Sequence, residues 1–207
     1  MAELRCYIFL DSLQPQYASF LGSVSQGFLP VPGQASLFVE IAPGMDIMHV
    51  TDVALKSTDV QPGMLIIERL YGMLEIHSGS QADVRQAGNA ILDALNLKEE
   101  DRIKPEIVSS QVIRNIHDYH TQLINRSRHG DMILPGETLY VMEVAPAGYA
   151  ALAANEAEKA ARINILEVRA FGSFGRVYLG GDERDIDVGH RAAEQAIADV
   201  TGRKAKV

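Results

Sequence analysis

Hydrophobic residues recur along this chain with two periods, and the order in which the periods appear is repeated. Runs dense in β-branched and aromatic residues predict strands at residues 5–10, 37–41, 64–67, 73–76, 106–113, 139–144, 163–168 and 176–179. Elsewhere the apolar positions fall at helical spacing: Ile47, Val50 and Ala54, then Val84, Ala87, Ile91 and Leu95, and later Ile186, Ala193, Ile197 and Val200. The alanine-rich run 150–161 reads as a helix with Glu156, Glu158 and Lys159 on its polar side. The front strand of each half leads into a further helical stretch, in the second half residues 113–126. Tyr71-Gly72 and Phe171-Gly172-Ser173-Phe174-Gly175 each separate two strands and mark hairpins.

Residues repeat as well as patterns. At an ungapped offset of 103, Gly27 meets Gly130, Pro32-Gly33 meets Pro135-Gly136, and Glu40, Ala42 and Pro43 meet Glu143, Ala145 and Pro146. Ala54, Lys56 and Gly72 fall on Ala157, Lys159 and Gly175, giving nine identities in the 49 positions from Gly27 to Glu75. Chance supplies about three, so the chain is read as two copies of one domain. The boundaries predicted are 1–103 and 104–207. Each copy is expected to be an α+β sandwich of antiparallel sheet and helices, a permuted relative of the ferredoxin-like plan.

Composition acts mainly by exclusion. With 207 residues, 47% hydrophobic and 22% charged, the chain can bury cores without staples. The lone Cys6 forbids an internal disulfide framework. Lys and Arg number 19 against 27 Asp and Glu, and no basic stripe offsets the net charge of −8, so no nucleic-acid partner is expected. The uncharged stretch 12–39 is interrupted by Gln14, Pro15, Gln16, Gln26, Pro30, Pro32 and Gln34 and is not expected to cross a membrane. The N-terminal apolar run is too short for a signal peptide, so a cytoplasmic location is expected and the sequon at Asn125 is set aside.

Chemistry-bearing motifs are sparse. His117 and His120 are three apart in a helical stretch and could share a face, but no third metal ligand accompanies them, so no metal or other cofactor is expected. Cys6 sits in an apolar strand pattern and reads as a small buried hydrophobe. Phosphate-binding glycine loops, dinucleotide fingerprints, nucleophile elbows and zinc-protease pairs do not occur, and no catalytic residue is assigned.

The segments ending in Ala54-Leu55-Lys56 and Ala157-Glu158-Lys159, together with Phe171-Gly172-Ser173-Phe174-Gly175-Arg176-Val177-Tyr178-Leu179-Gly180-Gly181, resemble bacterial microcompartment (BMC) shell proteins of the tandem-domain trimer class. Ile67-Glu68-Arg69-Leu70-Tyr71-Gly72 resembles the gate segment of the circularly permuted, carboxysome-type members, in which an adjacent Glu and Arg meet at the threefold axis. The resemblance implies a non-enzymatic tile. Three chains would make a pseudohexameric disc whose central pore is lined by Glu68-Arg69-Leu70 loops alternating with Phe171-Gly172-Ser173 loops. Glu68 and Arg69 would form the gate, and Lys56 and Lys159 would meet neighbouring tiles edge to edge. The partners implied are further copies of the chain as a homotrimer, a second trimer stacked face to face, neighbouring hexameric and pentameric shell proteins, and small metabolites in transit.

Each assignment has an ordinary competitor. A Glu-Arg pair at a strand end is usually a solvated charge pair, helix-surface lysines solubilise, and Gly172-Ser173 suits any tight turn. A soluble oligomeric regulator binding small molecules between ferredoxin-like domains is the alternative function, by fold analogy alone.

Overall fold

Two four-stranded antiparallel sheets organise the chain, and the second repeats the first. In the computed structural model, which describes residues 2–205, the first unit runs β1 (Glu3–Leu10), α1 (Pro15–Val24), β2 (Ala35–Ala42), α2 (Ile47–Ser57), β3 (Gln61–Glu68), β4 (Tyr71–Ser78) and α3 (Gln81–Leu95). The second runs β5 (Glu106–Ile113), α4 (Asp118–Ser127), β6 (Thr138–Ala145), α5 (Tyr149–Ala160), β7 (Asn164–Arg169), β8 (Gly175–Gly181) and α6 (Glu183–Asp199). The strand orders are β1-β2-β4-β3 and β5-β6-β8-β7. Even the irregularities match: Cys6 lies opposite Glu40 after a register shift from Leu4, and Ser109 lies opposite Glu143 after one from Ile107.

The repeated residues have shared physical causes. Gly33 and Gly136 both adopt φ 86, a backbone region that costs side-chain-bearing residues free energy. A Cβ on Gly27 would lie 2.2 Å from the Pro62 carbonyl oxygen, and one on Gly130 equally close to that of Ile165. Gly72 and Gly175 press in the same way on the carbonyl oxygens of Gly44 and Ala147. Pro43 and Pro146 both follow cis peptide bonds.

The first sheet is buried on both faces. Leu37, Val39, Ile41, Leu74 and Ile76 pack under Ile47, Val50 and Ala54 of α2 and Val84, Ala87 and Ile91 of α3. The opposite face presents Cys6, Ile8, Leu10, Phe38 and Met73 to Tyr149, Ala150, Ala151 and Ala154 of α5, so the two units share one core. Polar contacts reinforce this seam. The amides of Gln16 and Tyr17 at the start of α1 both donate to the Glu158 carboxylate at 2.8 Å, and that of Gln14 donates to Asn155 at 2.9 Å. A carboxylate there satisfies helix-terminal donors that have no partner within their own helix.

Two sequence expectations shift. The stretch 113–126 is not helical throughout: Ile113 stays in the ladder opposite Leu139, Asn115 turns the chain at φ 50, and α4 starts only at Asp118. The first hairpin turns at Arg69-Leu70, with Tyr71 already paired to Glu68, because Gly72 is needed in the ladder where β4 passes the Gly44 carbonyl. No helix among the described residues is long and apolar enough to cross a membrane.

Candidate functional site where two hairpins meet

The β3–β4 and β7–β8 hairpins are equivalents in the repeat, and the fold brings their tips together. Glu68, Arg69, Phe171, Gly172 and Ser173 all line one crevice of about 150 Å³. Glu68 ends β3, and its Oε2 accepts a hydrogen bond from Arg169 Nη2, at the end of β7, at 2.9 Å. That guanidinium also stands 4.8 Å from the centre of the Phe171 ring. Gly172 turns at φ 94 beside Glu68, where even a methyl group would lie 3.2 Å from the carboxylate Oε1. A glycine there gives the carboxylate close access to the opposing loop.

Arg69 sits at the tip with φ 55, a left-handed conformation unusual for a side-chain-bearing residue. It forms no ion pair among the described residues. Leu70 beside it is 69% exposed. Arg176, also lining the crevice, is held by Glu143 at 2.7 Å, a contact that keeps its pKa above the usual arginine value. A larger cavity of about 420 Å³ opens along the seam, lined among others by Tyr17, Phe20, Met64, Ile66, Arg169 and Phe171.

The remaining candidates lie elsewhere. Lys56, near the end of α2, contacts Asp52 at 2.5 Å and is largely exposed. Lys159, near the end of α5, lies 3.7 Å from Glu156 and 3.9 Å from Asp11. Neither lysine lines the crevice. His117 caps α4, its Nδ1 accepting from the Tyr119 amide at 3.2 Å. No cluster of three or more His, Cys, Asp and Glu able to hold a metal occurs among the described residues. Cys6 is fully buried, and burial pushes its thiol pKa well up.

Sequence reading missed Arg169, whose only signal was a charged residue closing a β-rich run before the glycine turn. It also missed Ser36, Glu75 and His77, which are fully buried together. Ser36 Oγ donates to Glu75 at 2.5 Å, and His77 Nδ1 lies 3.2 Å from the same carboxylate. The carboxylate stands between the other two, whereas nucleophile activation places histidine on the hydroxyl.

Two permuted antiparallel α+β units in one chain, with equivalent hairpin tips joined at one end, define a fused tandem-domain architecture. Known proteins share it. The family described as CsoS1D N-terminal domain matches residues 4–101. The carboxysome shell protein CcmP of Synechococcus elongatus is 60% identical over 202 residues, 98% of this chain and 95% of that protein. Among solved structures, the fused permuted hexameric shell protein MSM0275 from the RMM microcompartment superposes with a TM-score of 0.94 at 48% identity, covering 98% of this chain and all of that one. The double ringed trimeric shell protein MSM0271 from the same microcompartment gives 0.95 at 38% identity, covering 99% and 100%. The chain belongs to the family of fused, permuted microcompartment shell proteins that includes CcmP and CsoS1D.

Proposed function

We propose that the protein is a structural tile of a microcompartment shell, in which three copies form a pseudohexameric disc around a gated central pore. The observation that carries this reading is the meeting of the two equivalent hairpin tips, since threefold repetition of such a tip would line an axis with alternating loops. Glu68, Arg69 and Leu70 alternate with Phe171, Gly172 and Ser173 around that axis, and the boundary between the repeated domains falls near residues 103 and 104. Glu68 and Arg69 act as the gate. With carboxylate and guanidinium adjacent in sequence, small changes at the tip exchange a charge pair closing the axis for one turned aside. Lys56 and Lys159 serve the tile edges, where hexameric and pentameric shell proteins are the neighbours. Small metabolites are the cargo, and no chemistry is performed on them. A second trimer stacks face to face on the first, an arrangement in keeping with the double ringed relative.

Single-particle electron microscopy of the purified protein tests the whole reading. Flat hexagonal discs with threefold symmetry and density from residues 68–70 at the axis are expected. Compact particles without a hexagonal outline would overturn the tile.

A further inference from the structure

Another crevice, of about 440 Å³, shares no residue with the hairpin crevice or with the larger cavity. Its walls are β1, α3, the turn that follows α3, and α5 of the second unit. Two guanidiniums enter it from different elements, Arg85 from α3 and Arg102 from the turn. Arg85 stands over the Phe9 ring, 3.7 Å from its centre, a contact that orients the guanidinium without using any of its N–H groups. No carboxylate among the described residues pairs with it. Arg102 is fixed by its own bonds: Nε donates to the Thr201 carbonyl at 2.9 Å, and Nη1 to the Tyr7 carbonyl at 2.9 Å and to Glu99 at 2.6 Å. Its Nη2 has no partner among the described residues, although the side chain is only 13% exposed.

The Tyr7 hydroxyl is equally without a hydrogen-bond partner among the described residues. Gly88 makes room for it, since a Cβ there would lie 2.1 Å from the hydroxyl oxygen. Burial, with Glu99 adding to it, pushes the phenol up to about 12 against the opposing pull of Arg85 and Arg102. At neutral pH the group is therefore a donor, and both guanidiniums bear on it. The second unit has lost this chemistry. Counted from the helix N-caps Ser80 and Asp182, Asp187 stands where Arg85 does, and Ser110, in the place of Tyr7, is already bonded to Glu194.

We propose that this crevice binds a small organic oxyanion, a carboxylate or phosphate monoester carried on a compact apolar body. The free N–H groups of Arg85 and Nη2 of Arg102 take the oxyanion, and the Tyr7 hydroxyl supplies a third donor. Guanidinium forks match both oxyanions, and such charge-assisted bonds are the strong ones. Ile8 and Leu152 meet the apolar body. Guanidiniums outnumber the one carboxylate in the crevice, Glu99, in a chain of net charge −8, so attraction for an anion is local to this place. The volume suits a small molecule. Every group lies within one chain, so the site goes beyond the tile reading and does not depend on it.

Isothermal titration calorimetry of the assembled protein at low salt tests the site with benzoate, phenyl phosphate, inorganic phosphate and benzyl alcohol. Benzoate or phenyl phosphate should saturate one site per chain, at least about tenfold more tightly than inorganic phosphate, which lacks the apolar body, and than benzyl alcohol, which lacks the charge. The tighter of the two names the oxyanion. Arg85→Gln should weaken that binding at least about tenfold, with assembled mass and urea midpoint as controls, because Arg85 makes no hydrogen bond that holds the fold. A crystal of the complex should place the oxyanion against Arg85 and Arg102. No saturation by either organic anion up to about 10 mM, equal affinity in Arg85→Gln, or an oxyanion seated elsewhere would overturn the site and leave the tile standing.

Discussion

Glu68 and Arg169 form an ion pair at 2.9 Å across the seam between the two repeats, so the carboxylate's partner is 101 positions away in sequence rather than the adjacent Arg69. Their side chains are 33% and 42% exposed. Solvent screens such a pair, and exposed pairs contribute within about 1 kcal/mol. Arg169→Ala should therefore leave the denaturant midpoint nearly unchanged while releasing Glu68 from the Gly172 turn. Cryo-electron microscopy of the variant should show altered density at residues 68–70. A loss of more than about 2 kcal/mol would make the pair a structural fastening instead.

A carboxylate from the second unit starts the first helix of the chain. Glu158 receives both the Gln16 and the Tyr17 amide, so Glu158→Ala strands two helix-terminal donors at the seam. A loss of about 1–2 kcal/mol is expected in urea unfolding, with Glu158→Gln retaining part of it because one acceptor oxygen remains. Equal stability of all three proteins would show that water replaces the cap.

The succession of strands and helices along the chain and the duplication were legible in the sequence because they rest on local periodicity and on residues with strict backbone demands, whereas the order of strands within each sheet was not. Gly27, Gly33 and Gly72 recur at 130, 136 and 175 because in each case the fold imposes the same close approach or the same positive φ. The Glu68 and Gly172 loops could be named as equivalents, yet their joining inside one chain could not. That contact depends on how α5 lies on β1, a matter of side-chain volume: alanines at 150, 151 and 154 let the helix approach the face of Cys6 and Phe38. Arg169 was missed for the same reason. Its role is set by a residue 101 positions away, and no local pattern marks it. The break before α4 escaped because Asn115 can turn the chain at positive φ without glycine's signal.

Substituting glycines separates those that the fold requires from those that it tolerates. Gly27→Ala and Gly130→Ala would each drive a methyl group into a backbone carbonyl 2.2 Å away, and backbone yields less readily than a side chain. Each should cost about 1–3 kcal/mol or more in chemical denaturation. Gly22, inside α1, has nothing within 4 Å of its Cβ position. Gly22→Ala should stabilise by about 0.5–1 kcal/mol through helix propensity. The reverse order of effects would contradict the packing of the loop before β2 on β3.

Cys6 gives a pH-dependent prediction whose sign is fixed by burial. Its thiol lies fully inside the seam, and desolvation, with Glu40 adding to it, raises the pKa well above the ordinary value. In the unfolded chain the thiol ionises near about pH 8.5. Above that pH the unfolded state binds fewer protons than the folded one, so stability is complete below it and falls as pH rises toward the folded pKa. The slope from this group approaches about 1.4 kcal/mol per pH unit. The buried tyrosines Tyr7, Tyr17, Tyr140 and Tyr149, raised in the same direction by burial, add a slope of the same sign as pH approaches about 10, and because both proteins share it the difference between the native protein and Cys6→Ala isolates the thiol. Unfolding free energy measured from about pH 8.5 to 9.5 should decline in the native protein and decline less in Cys6→Ala, which is less stable at neutral pH but lacks the titrating group. Thiol reagents should label Cys6 only as fast as the seam opens, with the rate rising steeply in urea. Rapid labelling without denaturant, or identical alkaline slopes in the two proteins, would show that the seam between the units admits solvent.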